Sequence, residues 1–184
     1  MQSKPTTATA ITIASSHCEP HSRTNRVAPT GYAFSLSTGV AEPHWGFGGA
    51  RETQEMLAQG LIRAAELAFL DDDEATIEVI VRKIGFQKYL TEFLPLWRPR
   101  MANDRSFSRN NIQVWKRLHD LSLLGRLTIR LPTTAAETEL VEDMQQLAKE
   151  AASKALADLQ QNRSKYSKAG VFATDEDQTA PEAS

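Results

Sequence analysis

The sequence predicts an α/β domain: a five-stranded mixed sheet, three antiparallel strands then two parallel ones, flanked by helices. Two observations carry that expectation. The first fifty residues hold β-type runs separated by turn-forming residues, and from Thr53 onward helical periodicity alternates with two short β-branched runs. The resulting order is β, β-hairpin, α, β, α, α, β, α. Hairpin-joined strands pair antiparallel, whereas strands separated by a helix pair parallel.

TATAITIA, 7–14, is β-branched and bounded by Pro5 and by the polar stretch SSHCEPHSRTNRVAPT, so it reads as a strand followed by a long loop. GYAFSLS, 31–37, alternates large apolar and small residues, and Thr38-Gly39 turns it into a short strand over 44–48. Pro43 marks that strand as an edge or as one with an imperfect start. Thr53 caps a helix whose Leu57, Leu61, Ala64, Ala65, Ala68 and Phe69 share one face. The acidic DDDE at 71–74 is a solvated connection to the strand ATIEVIV, 75–81. A helix over GFQKYLTEFL, 85–94, follows and is ended by Pro95 and Pro99. RPRMANDRSFSR, 98–109, is an exposed basic loop. Asn110 or Asn111 caps the next helix, with Ile112, Trp115, Leu118 and Leu121 inward and Gly125 as its stop. LTIRL, 127–131, is the last strand of the sheet. Thr134 and Glu137 form a capping box for a helix running through Leu140, Met144, Leu147, Ala148, Ala151, Ala155 and Leu159. The expected organisation is a flexible N-terminus over 1–6, one domain over 7–160, and a disordered acidic tail over 161–184.

With 184 residues, 41% of them hydrophobic, the chain suffices for one ordinary core. No apolar run approaches the roughly 18 to 20 residues that span a bilayer, and the opening MQSKPTTATAITIASS lacks a leader's uninterrupted apolar segment. A cytoplasmic protein without a membrane partner is expected. The single cysteine, Cys18, forms no internal disulfide, which suits a reducing compartment. Charge is uneven: from Arg82 to Arg126 ten Lys/Arg face three acids, a net of +7 in a chain whose total is −2. Such a basic segment in an otherwise acidic chain is a candidate polyanion surface.

The motif inventory is otherwise thin. There is no GxxxxGK[ST], no GxGxxG and no full Ser/His/Asp signature, and WGFGG reads as a strand end and turn. His17-Cys18-x-x-His21 brings three potential metal ligands into one loop, but closed zinc sites usually need four and no second pair follows. It reads as an exposed loop, and no metal site is expected. Trp45, Trp97 and Trp115 are candidate base-stacking platforms. Trp115 lies on a helical apolar face and reads as core, while Trp97 sits among Arg98, Arg100 and Arg105.

GYAFSLS, ETQEMLAQGLIRAAELA, IEVIV, NNIQVWKRLHDL and QQLAKEAA, in this order and spacing, resemble the second strand, first helix, fourth strand, pre-β5 helix and last helix of the type 1 ribonuclease H fold. The resemblance covers about residues 7 to 157. It implies cleavage of the RNA strand of an RNA:DNA hybrid by two divalent cations, roughly 4 Å apart, held by four carboxylates. The matching positions here are Ser15 (or Ala14) on the first strand, Glu55 on the first helix, Ile84 after the fourth strand and Gln145 on the last helix. Only Glu55 is an acid. Glu142 and Asp143 are near Gln145, but a two-residue shift rotates a helical side chain by about 200°. The histidine that the family carries before its last helix is also missing from LPTTAAETEL. Around Ile84 stand Arg82 and Lys83, which would repel Mg²⁺, a hard cation that needs converging oxygen ligands.

The expected function is therefore that of a catalytically inactive ribonuclease H-like protein without a cofactor, of plasmid, phage or mobile-element type. It would bind nucleic acid, an RNA:DNA hybrid or DNA, through Arg82, Lys83, Lys88, Arg98, Arg100, Arg105, Arg109, Lys116 and Arg117. A second reading is a protein-interaction scaffold whose acidic tail engages a partner. A third is a divergent active nuclease with Mg²⁺ relocated to Glu55, Glu142 and Asp143.

Overall fold

In the computed structural model the described residues are 8–18, 28–37, 42–50, 53–71, 73–82, 85–93, 95–96, 109–161, 172–173 and 178–179. β1 (Ala8–His17), β2 (Ala28–Leu36) and β3 (His44–Ala50) precede α1 (Thr53–Asp71) and β4 (Thr76–Ile80). A single turn, α2 (Gly85–Lys88), then runs into a π turn over Tyr89–Phe93. α3 (Arg109–Leu123), β5 (Leu127–Arg130) and α4 (Ala135–Gln161) follow, with two-residue strands β6 (Phe172–Ala173) and β7 (Gln178–Thr179) beyond them. No described helix is long and apolar enough to cross a membrane.

The five-stranded mixed sheet is present as expected. Its order is β5-β4-β1-β2-β3, with β1, β2 and β3 antiparallel and β4 and β5 parallel to β1. β1 is longer than TATAITIA suggests, because Ser15, Ser16 and His17 stay in register with Tyr32, Gly31 and Thr30. Their polarity hides this in the sequence. The segment expected to be a structureless tail also contributes to the sheet: β6 pairs with Gly48 and Gly49, and β7 pairs with His44 and Trp45, on the outer edge of β3. Unpaired edge N–H and C=O groups are a template for such additions.

Alternation along the strands separates two cores. Ile11, Ile13, Tyr32, Phe34, Ile77 and Val79 pack with α1 and α3, while Ala14, Ala33 and Trp45 pack with Met144, Ala148 and Ala151 of α4. The α4 side is built from small residues because helix and sheet approach closely there. A Cβ on Gly31 would lie 2.4 Å from the Ala148 carbonyl oxygen and 2.5 Å from the Ala152 nitrogen, both backbone atoms. On the other side the Tyr32 ring lies between Gly46 of β3 and Gly60 of α1, either of which would bring a Cβ to 2.6 Å from it.

The turn at Tyr89–Phe93 departs from the regular helix expected over 85–94. A π turn advances each residue by less than the α-helical 100° or so. Phe86 and Leu90 are buried, and the Phe86 and Tyr89 rings both lie against Trp115, centroids 6.0 Å and 4.9 Å away.

Two of the predicted helix-end signals form, at Gly125 and at Thr134 with Glu137, whereas Asn110 and Asn111, expected as caps, lie inside α3, which begins at Arg109. Gly125 takes φ 68°, and Arg126 N–H donates to the Leu121 carbonyl at 3.1 Å, the six-to-one bond that closes a left-handed C-terminal cap. At the start of α4, Glu137 N–H donates to Thr134 Oγ1 at 3.1 Å, and the Glu137 carboxylate accepts from the Thr133 N–H at 2.7 Å and the Thr134 N–H at 3.3 Å. The same carboxylate pairs with Arg130 at 2.6 Å, and Arg130 also reaches Glu78 at 2.9 Å. These contacts, the Arg130 guanidinium first and the Thr133 N–H next, lower the Glu137 carboxyl to about 2. Glu137 and Glu78 in turn hold the Arg130 guanidinium above its ordinary range.

Candidate functional site

Because β1 and β4 are adjacent and parallel, with Thr12 opposite Ile80, their C-terminal ends open on the same side of the sheet. That edge is where α/β folds bind ligands. A cleft of about 570 Å³ occupies it. Ala14 to His17 line it from the end of β1, and Thr53, Gln54 and Leu57 from the first turns of α1. Val81, Arg82, Gly85 and Phe86 line it where β4 leads to α2, and Gln145 and Lys149 from α4.

Ser15 is the joint of this cleft. Its Oγ donates to the Thr53 carbonyl at 2.9 Å, and the Gln145 side-chain amide donates to the Ser15 carbonyl at 3.2 Å, so β1, α1 and α4 meet at one residue. Ser16 Oγ donates to the His17 carbonyl at 3.3 Å. His17 Nδ1 lies 2.9 Å from Thr30 Oγ1, which itself donates to the Ala28 carbonyl at 2.8 Å.

Of the four positions that the resemblance matches to metal ligands, Ser15 and Gln145 converge on the cleft. Ile84 lies outside the described residues, as does Lys83, although Arg82 and Gly85 on either side both line the cleft. Glu55 does not line it. Gln54 does, together with Leu57, and Glu55 is turned about 100° further round α1. The stripe Gln54, Leu57, Leu61 carried that information in the sequence, since the two leucines had already marked the inward face. Glu142 and Asp143 are exposed on α4 and also do not line the cleft. Lys149 does, and sequence reasoning missed it; its signal is the spacing Gln145 to Lys149, one turn along the same helix face.

No Asp or Glu is among the described residues lining the cleft. Among the described residues, no group of three or more His, Cys, Asp or Glu stands together to hold a metal ion. The described polar groups at hand are the hydroxyls of Ser15, Ser16 and Thr53, His17, two carboxamides, and two cations. Such a set does not fit a pair of Mg²⁺ ions, which require convergent anionic oxygens.

The basic segment divides by what its residues touch. Lys88 on α2 is exposed, and Lys116 on α3 is half-buried. Arg117 pairs with Glu66 of α1 at 2.5 Å, and Arg126 stacks over Phe69 at 4.4 Å while donating to the backbone carbonyls of Asp73 and Ala75. Both are occupied by contacts within the fold. Arg109 opens α3, with its side chain outside the described residues, and Arg98, Arg100, Arg105 and Trp97 lie outside them altogether. Trp115 and Trp45 are buried, and Lys154 lies over the Trp45 ring at 3.7 Å; neither ring is a stacking platform. Of the His17-Cys18-x-x-His21 group, His17 is tied to Thr30 and Cys18 is half-buried, while His21 is outside the described residues.

No protein-family model matches the sequence, and no curated protein matches it. Solved structures do. A foamy viral protease-reverse transcriptase in complex with RNA/DNA hybrid is similar at a TM-score of 0.60 and 16% identity, over 80% of this chain and 20% of that one. A foamy viral protease-reverse transcriptase structure in complex with dsDNA gives 0.59 and 16%, over 80% of this chain and 95% of the other. LC9-RNase H1, a type 1 RNase H with the type 2 active-site motif, gives 0.59 and 14%, over 95% and 81%. The chain thus spans about a fifth of the hybrid-bound viral chain.

Proposed function

The chain has a ribonuclease H-like fold, and from that premise we propose that it binds nucleic acid without cutting it. The observation that supports this reading is the composition of the cleft at the ends of β1 and β4. Of the positions where the resemblance calls for carboxylates, Ser15 and Gln145 line the cleft, beside Gln54, Arg82 and Lys149. Phosphate backbones are attracted by such charge, and metal-assisted hydrolysis lacks its ligands. Lys83, Lys88 and Lys116, with the arginines between residues 98 and 109, extend the basic surface in this reading.

The test is binding of labelled RNA:DNA hybrid, duplex DNA and single strands across a salt series, together with cleavage of the hybrid in Mg²⁺ and in Mn²⁺. Binding that weakens linearly in log salt, with no cleavage, is expected. Absence of binding at low salt would sink the reading, and a protein that instead co-purifies with a polypeptide partner would favour the scaffold. Cleavage abolished by Glu55→Gln would establish an active nuclease with a relocated site.

A further inference from the structure

Resting on that reading, we propose that the cleft itself is a metal-independent phosphate site, in which Arg82 and Lys149 grip one phosphate group between the end of β4 and α4. The two cations come from different walls of the same 570 Å³ cleft, and among the described residues lining it there is no acid to neutralise them. Neither side chain has an ion-pair or hydrogen-bond partner among the described residues, in contrast to Arg117, Arg126 and Arg130, which are all engaged. Both are exposed, so their charge reaches the cleft without a burial cost.

The remaining chemistry is that of a donor-rich pocket. Gln145 uses one N–H on the Ser15 carbonyl, which orients its carboxamide and leaves the second N–H for a ligand oxygen. Guanidinium and ammonium groups form charge-assisted hydrogen bonds to phosphate oxygens, the guanidinium two at once. The volume lies within the range of pockets that hold small ligands, so the phosphate can belong to a nucleic-acid backbone or to a free phosphorylated compound. In either case the cations do for the phosphate what bound metal ions would otherwise do: they neutralise it in place.

The experiment uses the full chain and three variants, Arg82→Gln, Lys149→Gln and both together, with Arg63→Gln, a charge-matched change on α1 outside the cleft, as control. Each is titrated, with and without EDTA, with inorganic pyrophosphate and with a short duplex, following backbone and carboxamide resonances. Pyrophosphate is expected to shift Ser16, His17 and the Gln145 side chain in the wild type. Each single variant should weaken pyrophosphate binding about tenfold and lower the duplex salt slope by about 1. The double variant should abolish pyrophosphate binding, and the control should bind as wild type does. Pyrophosphate binding without duplex binding would leave the phosphate site standing and sink the nucleic-acid reading, pointing to a free phosphorylated ligand. Duplex binding that the double variant retains unchanged, or phosphate binding that EDTA abolishes, would overturn the phosphate site while leaving nucleic-acid binding intact.

Discussion

Gln145 of α4 donates its side-chain amide to the Ser15 carbonyl of β1 across 3.2 Å, joining two of the four positions at which the resemblance calls for metal-binding carboxylates. That contact ties β1 to α4 at the cleft. Gln145→Ala removes the donor and leaves a half-buried carbonyl without it, which should cost about 1 kcal/mol. Urea denaturation of the variant measures it. Converting both residues, Ser15→Asp with Gln145→Asp, should still give no hybrid cleavage in Mg²⁺, because Arg82 and Lys149 remain beside the new acids.

Gly31→Ala should be among the most destabilising small changes in the chain. The added methyl meets the backbone of Ala148 and Ala152, which cannot rotate aside as a side chain could. Overpacking of this kind typically costs about 1 to 3 kcal/mol and here should reach or exceed the upper end. A fall in the urea midpoint at unchanged slope would confirm it, and a change below about 0.5 kcal/mol would show that α4 does not lie this close to β2.

Stability should fall between about pH 4.5 and pH 2 in a way that Glu137 controls. The folded carboxyl is lowered to about 2 by Arg130 and the Thr133 N–H, from an ordinary value of 4.5. A lowered carboxyl stabilises the fold fully above its unfolded value, and that contribution is lost as pH falls toward the folded one. Glu137→Gln should flatten this part of the pH profile. An acid limb with the same slope in both proteins would show that Glu137 does not set it.

Arg117→Gln should leave nucleic-acid affinity nearly unchanged, whereas Arg82→Gln should weaken it. Arg117 spends its charge on Glu66, while Arg82 has no such partner among the described residues. Loss of the exposed Arg117–Glu66 pair should cost at most about 1 kcal/mol of stability. Fluorescence anisotropy with a labelled duplex, at one low salt concentration, separates the two variants.

Much of the fold is legible in short-range patterns. The capping box at Thr134 and Glu137 and the left-handed cap at Gly125 form as their local sequence dictates, because each depends on atoms a few residues apart. The inward stripe of α1 and the strand IEVIV follow from periodicity alone. Other features mislead for an equally physical reason. Ser15, Ser16 and His17 look like loop, yet their backbones are held in β1 by β2, a pairing that polar side chains do not announce.

The sequence by itself determined the order of the elements, the apolar faces that build the two cores, and the shortage of acids at the matched positions. Tertiary structure alone decided which charged residues share a cleft and which do not: Lys149 beside Arg82, and Arg117 withdrawn to Glu66. The reason is geometric. Local interactions set each helix and its apolar stripe, but where its polar side chains arrive depends on how the whole helix is rotated and seated against the sheet. Close backbone contacts such as Gly31 against Ala148 set that seating.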